Sequence, residues 1–100
     1  LEMFFLDTRQ HRDSNHAPDS ATAPKTMLGH RQREWLLDAL RRSDATWQVV
    51  VSSVPIAIPT GTVGRDGWAD YGQPSGFEHE LRAILRAARQ AGVRNLLWIT

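Results

Sequence analysis

The fold turns on Met3-Phe4-Phe5-Leu6-Asp7-Thr8-Arg9-Gln10-His11-Arg12-Asp13. Its first four residues form an unbroken apolar run, which reads as a buried strand. At Asp7 the run breaks into a polar loop that carries two arginines, Arg9 and Arg12. In open α/β sheets, ligands bind beyond the carboxyl ends of the strands. A guanidinium placed there can hold phosphate or carboxylate through two parallel hydrogen bonds. The competing interpretation is structural: Asp7 and the arginines pair with one another and close a loop.

Two more strands and two helices follow, in the order β-α-β-α-β. The first strand covers about residues 2–6. Residues 13–25 are rich in Ser, Asn, Asp, Ala and Pro, lack periodicity, and are expected to form a mobile loop. Leu28, Gln32, Trp35, Leu36, Ala39 and Leu40 fall at helical spacing and predict a helix over about 30–42. All but Gln32 are apolar, and Trp35 is expected to anchor this helix against the sheet. Arg41 and Arg42 sit in its last turn, where they complement the helix dipole. The second strand spans about 47–53, and its β-branched core Val49-Val50-Val51 suits a strand buried on both faces.

A long loop, 54–74, holds Pro55, Pro59, Gly61, Gly64, Gly67, Gly72 and Pro74. Loops of that length inside a compact domain are often functional. Ser75 and Glu78 have the spacing of a capping box for the second helix. Phe77, Leu81, Ile84, Leu85 and Ala88 supply its apolar stripe, and Gly92 closes it in a left-handed conformation. The third strand spans 95–100. Strands alternating with helices predict an α/β fold with a mainly parallel sheet, right-handed crossovers and flanking helices.

One hundred residues, 41% of them hydrophobic, suit a single domain with a modest core. The formal net charge is +1, and Lys25 is the only lysine. Many arginines alternate with acids along the two helices, as on solvated helix faces, and no basic stripe interleaved with aromatics stands out. Nucleic-acid binding is therefore disfavoured. The absence of cysteine excludes disulfides, thiolate metal sites and cysteine nucleophiles. No apolar run approaches the roughly 20 residues of a bilayer span. The amino-terminal residues lack a basic region followed by a signal-type apolar core. Beginning and ending in strand-like sequence, residues 1–100 read as a single partial domain cut from a larger protein. Its terminal strands are expected to pair with the rest of that chain or with a second copy.

Side chains with chemistry are few. His11, His16, His30 and His79 show no metal-ligand spacing and read as surface histidines, with His11, between the arginines, the one to watch. Gly61-Thr62-Val63-Gly64 lacks the Lys-Ser/Thr of a phosphate loop. Ser52-Ser53 ends a strand with no partnering histidine nearby in sequence, so hydrogen bonding there is favoured over nucleophilic attack. Arg65-Asp66-Gly67-Trp68-Ala69-Asp70-Tyr71 sets charged and aromatic residues in a glycine-flanked loop. Trp68 or Tyr71 could close over a ligand, or both could pack the loop onto the body, which is favoured because large aromatics bury much area.

Taken together, these motifs resemble the PhoD-type alkaline phosphatases. Leu6 to Asp13 resembles the family's LDTRQYRD element, with His11 in place of its tyrosine. Lys25-Thr26-Met27-Leu28-Gly29, with Gln32 and Trp35-Leu36, resembles its TMLGxxQxxWL helix start. Ala45-Thr46-Trp47-Gln48-Val49 is similar to its ATWKV strand. Ser53-Val54-Pro55, Asp66-Gly67-Trp68 with Tyr71, and Val93 to Thr100 also fit, and the order agrees over nearly the whole chain.

The resemblance implies a fragment from the C-terminal region of a metallophosphatase sandwich. It implies hydrolysis of phosphomonoesters or phosphodiesters with iron, calcium or a similar metal set. The metal ligands would lie outside this segment, one set upstream and a DVH element just after Thr100, so the chain alone is expected to bind no metal and to be inactive. Arg9 and Arg12 inherit candidacy as phosphate-contacting catalytic residues, and Asp7, Asp66 and Trp68 as substrate-binding ones. The implied partner is a phosphoester substrate, and the implied location is extracytoplasmic. The alternative, from a different class, is a non-catalytic α/β binding or scaffold module.

Overall fold

Three short parallel strands form one sheet in a computed structural model that describes residues 1–57, 67–69 and 76–100. The elements are β1 (Glu2–Phe5), α1 (Gly29–Arg42), β2 (Gln48–Val51), α2 (Glu78–Gln90) and β3 (Leu96–Ile99), with β2 in the middle of the sheet. The β-α-β-α-β order and the parallel sheet expected from the sequence are both present. Each strand is shorter than its apolar run suggested, because pairing stops at Phe5, Val51 and Ile99.

Strand period places Phe4, Val50 and Trp98 side by side on one face, and Phe5, Val51 and Ile99 on the other. Two crossovers of the same hand that step the same way across a sheet put both helices on one side. Here α1 and α2 pack against each other. Leu36 and Leu40 of α1, and Leu81, Ile84 and Ala88 of α2, join Phe4 and Val50 in a single core. Burying a residue such as Leu36 or Ile84 stabilises the fold by about 1.5–3 kcal/mol.

On the opposite face, among the described residues, the edge strands are exposed. Met3, Phe5, Leu97 and Ile99 are exposed there, Phe5 to 67%. In the central strand Gln48, Val49 and Val50 are all buried and only Val51 is half-buried, so β2 is enclosed on both faces over most of its length, as its β-branched core suggested.

Three helix details correct the sequence expectations. Trp35 is 49% exposed and meets the sheet only at its edge, where its ring lies edge-on to Phe4 with centroids 6.3 Å apart. Leu36 and Leu40 anchor α1 instead, because the buried arc is centred on them. Next, α2 starts at Glu78, with Phe77 at its N-cap and no side-chain cap there. Ser75 lies outside the described residues. Finally, Leu85 points outward, and its place on the buried arc is taken by Glu80.

The end of α2 follows the sequence. Gly92 has φ +79°, its N–H donates to the Arg89 carbonyl, and the Val93 N–H donates to the Ala88 carbonyl. This is a Schellman closure, which requires the left-handed residue that glycine supplies without strain.

Candidate functional site

Where β1 ends, a side chain continues the work of the sheet. The Leu6 N–H donates to the Val51 carbonyl at 2.9 Å. At Asp7 the partner becomes Gln32, whose Oε1 accepts the Asp7 N–H and whose Nε2 donates to the Asp7 carbonyl, both at 2.8 Å. The Asp7 carboxylate then folds the chain back. Its Oδ1 accepts the Arg9 N–H at 2.8 Å and the Gln10 N–H at 3.0 Å, an Asx-turn of the kind aspartate favours. These two donors stabilise the ionised form and hold the Asp7 carboxyl below its ordinary range.

The turn is also fixed at its far end. The Asp13 N–H donates to the Thr26 carbonyl at 2.8 Å, and the Thr26 N–H donates to Asp13 Oδ2 at 2.9 Å. Between the two ends, His11 lies against Gly29, where an added Cβ would stand 2.9 Å from the His11 Cβ. Gly29 also has φ +74°, so both its conformation and its contact require glycine.

Arg9 and Arg12 line one shallow open depression with Asp13, Ser14 and Asn15. Arg9 is exposed and Arg12 half-buried. The Arg12 guanidinium stands over the Phe77 ring, 5.0 Å from its centroid, and its Nη2 donates to the Asn15 side-chain carbonyl. Lys25 Nζ sits 4.1 Å from the same ring centroid and donates to the Asn15 backbone carbonyl at 3.2 Å. Cations held over an aromatic face keep part of their stabilisation when water is removed. The carboxylates of Asp7 and Asp13 bond backbone N–H groups, not the guanidinium groups.

Residues 13–25, expected to be mobile, contain no helix or strand but are tied to the body. Asp19 accepts the Lys25 N–H at 2.9 Å and the His79 N–H at 3.2 Å, and Lys25 is buried. The polar side chains that suggested disorder are the ones that fasten the loop.

Trp68, weighed between covering a ligand and packing its loop onto the body, lies in the core, as the favoured packing has it. Its indole N–H donates to Ser52 Oγ at 3.2 Å, and its ring meets Trp98 edge-on at 5.6 Å. Ser52 Oγ also donates to the Val54 carbonyl and accepts the Val54 N–H, so this hydroxyl ends the strand rather than serving as a nucleophile. The Ser53 hydroxyl is 2.7 Å from that of Thr8 and ties β2 to the arginine turn. Asp66, Arg65, Tyr71 and the Gly61–Gly64 segment lie outside the described residues.

The sequence reading missed Glu80. This carboxylate on α2 is buried at the start of α1, where it accepts the Thr26 hydroxyl at 2.6 Å and the Met27 N–H at 2.5 Å. The Leu28 N–H lies 3.3 Å from the same carboxylate. An anion at a helix N-terminus satisfies donors that the helix leaves open. The signal was present: Glu80 is the acidic residue on the apolar arc of α2, as Gln32 is the polar residue on that of α1.

No curated protein and no solved structure matches this chain. The model of the PhoD-like phosphatase family matches residues 1–100, its whole length. With the arginine turn placed beyond the carboxyl end of a parallel strand, sequence and geometry agree, and the chain belongs to the PhoD-like phosphatase family.

Proposed function

We propose that this chain supplies the phosphate-contacting turn of a metal-dependent phosphoester hydrolase acting on phosphomonoesters or phosphodiesters. The observation that carries this reading is the convergence of Arg9 and Arg12 on one open depression, on a turn braced by Asp7 and Asp13. Arg9 is the ligand-facing arginine, because it is the exposed one. Arg12, stacked on Phe77 and bonded to Asn15, sets the electrostatic floor of the depression. Asp7 shapes the turn rather than touching substrate.

Fixed positive charge aimed where negative charge builds up on a transferring phosphoryl group lowers the barrier without reorganisation. The family is generally metal-dependent, and metals in such enzymes polarise a phosphoryl oxygen and activate water. Among the described residues no three His, Asp or Glu side chains converge to hold a metal. In this proposal the metal ligands come from elsewhere in the full-length enzyme, and the turn contributes binding and charge stabilisation. A location outside the cytoplasm is part of the proposal and rests on the family. No helix among the described residues is long and apolar enough to cross a membrane.

The test is turnover by the full-length enzyme with Arg9 replaced. Arg9→Lys keeps the charge and loses the two-pronged donor geometry; Arg9→Ala loses both. The expected result is a fall in kcat/KM of roughly tenfold for lysine and about a hundredfold or more for alanine, with the fold intact. Unchanged kcat and KM in the alanine variants of both Arg9 and Arg12 would leave the arginines a purely structural role.

A further inference from the structure

The turn from Asp7 to Asp13 has no regular structure of its own, yet it is gripped at both ends by the start of α1. At the Asp13 end the grip is through Thr26, by one backbone–backbone bond and one from the Thr26 N–H to the Asp13 carboxylate. At the Asp7 end it is made by one side chain, the Gln32 amide, which accepts the Asp7 N–H and donates to the Asp7 carbonyl. That is the bonding a neighbouring strand would supply, delivered where pairing with β2 has ended. The same Nε2 also reaches the Leu28 carbonyl at 3.1 Å, which fixes the amide's orientation on its own helix.

A primary amide is the neutral side-chain group that offers a donor and an acceptor side by side. A helix that only needed to pack would carry an apolar residue at this position, as it does at Leu36 and Leu40. We propose that Gln32 is a positioning residue for the phosphate site. It fixes the backbone of Asp7, hence the Asx-turn, hence the direction in which Arg9 leaves the chain. The proposal rests on the reading of Arg9 and Arg12 as phosphate ligands.

Asp7 is only half-buried, so water can replace the lost amide when Gln32 is changed. The fold should then survive while the turn loosens. Misplacing a catalytic group by about an ångström can cost as much as a hundredfold in rate, and two neutral hydrogen bonds to a partly exposed backbone amount to roughly tenfold.

The experiment uses the full-length enzyme, a p-nitrophenyl phosphoester as substrate, and orthophosphate as competitive inhibitor. Gln32→Met removes donor and acceptor at nearly constant volume, and Gln32→Glu keeps the acceptor only. Both are made in the parent and in an Arg9→Ala, Arg12→Ala background, with thermal melting recorded for each. The expected result is a roughly tenfold weaker orthophosphate Ki and a comparable fall in kcat for Gln32→Met. Gln32→Glu should give no rescue, and neither variant should add to the loss once the arginines are gone.

A lowered melting temperature with Ki and kcat unchanged would overturn the proposal. So would an equal loss in both backgrounds, or failure of both variants to fold. If removing the arginines alone leaves the orthophosphate Ki unchanged, the phosphate-contact reading fails first, and the role of Gln32 with it.

Discussion

Asp7 illustrates how one carboxylate sets the geometry of its neighbours. Its two backbone donors favour the ionised form, so its folded pKa lies below the unfolded value of about 3.9. Stability from a depressed carboxylate is fully present above the unfolded pKa and is lost as pH falls through the folded one. We therefore expect Asp7→Ala to be less stable than the parent at neutral pH, with the difference shrinking as pH falls below about 4. Asp7→Asn keeps an acceptor and should show a smaller, pH-independent loss; denaturant unfolding across pH measures both. A gap between parent and alanine variant that stays constant down to acid pH would mean that the turn does not depend on the charge. The sequence made Asp7 and the arginines conspicuous, since an apolar run broke there. It could not say which donors Asp7 would accept. Backbone N–H groups two and three residues on compete with nearby guanidinium groups, and local geometry, not composition, decides between them. Gln32 and Glu80 were visible only as polar breaks in apolar stripes. Their partners lie 25 and more than 50 residues away in the chain, at separations that periodicity does not reach.

Among the elements, the two helices were readable because amphipathic spacing is a strong signal, yet of the two tryptophans at issue only Trp68 packs as favoured, and Trp35 does not. Trp35 sits on the helical stripe but at the edge of the buried arc, over β1, the strand at the sheet's border. Trp68 sits in a segment without periodicity and is fully buried. It is fastened through the backbone as well: its N–H donates to the Pro55 carbonyl, and its carbonyl accepts the Phe77 N–H at 2.7 Å. Truncating a buried Trp costs about 3–5 kcal/mol, so Trp68→Ala should unfold the domain or leave it marginal. Trp35→Ala should cost about 1 kcal/mol, the scale of an edge-on aromatic contact plus partial burial. Urea unfolding of the two variants separates them, and equal losses would show that Trp35 is as well packed as Trp68. Strand ends were less readable than strand cores. The β-branched run at Val49–Val51 marks the core of β2, but where pairing stops depends on neighbours that a local reading does not see.

At the scale of the whole molecule, the described residues form a sheet with its helices on one side. Helices cover one face, Met3, Phe5, Leu97 and Ile99 lie open on the other, and both terminal strands are edges. That asymmetry follows from strand order 1-2-3 with both crossovers passing over the same face; the β-α-β-α-β pattern alone leaves the strand order open. The carboxyl end of β1 and the amino end of α1 meet at the arginine turn, so the sheet, the helix and the turn share one set of hydrogen bonds. The proposed function rests on that junction: a helix start clamps a turn, and the turn places Arg9 and Arg12 along an open depression. The decisive observation is a crystal structure of the full-length enzyme with orthophosphate bound at its active centre. The account predicts the Arg9 guanidinium on the phosphate oxygens, with N–O distances of about 2.7–2.9 Å and the Asp7 turn unchanged beneath it. Phosphate bound at that centre with both Arg9 and Arg12 out of reach would contradict it.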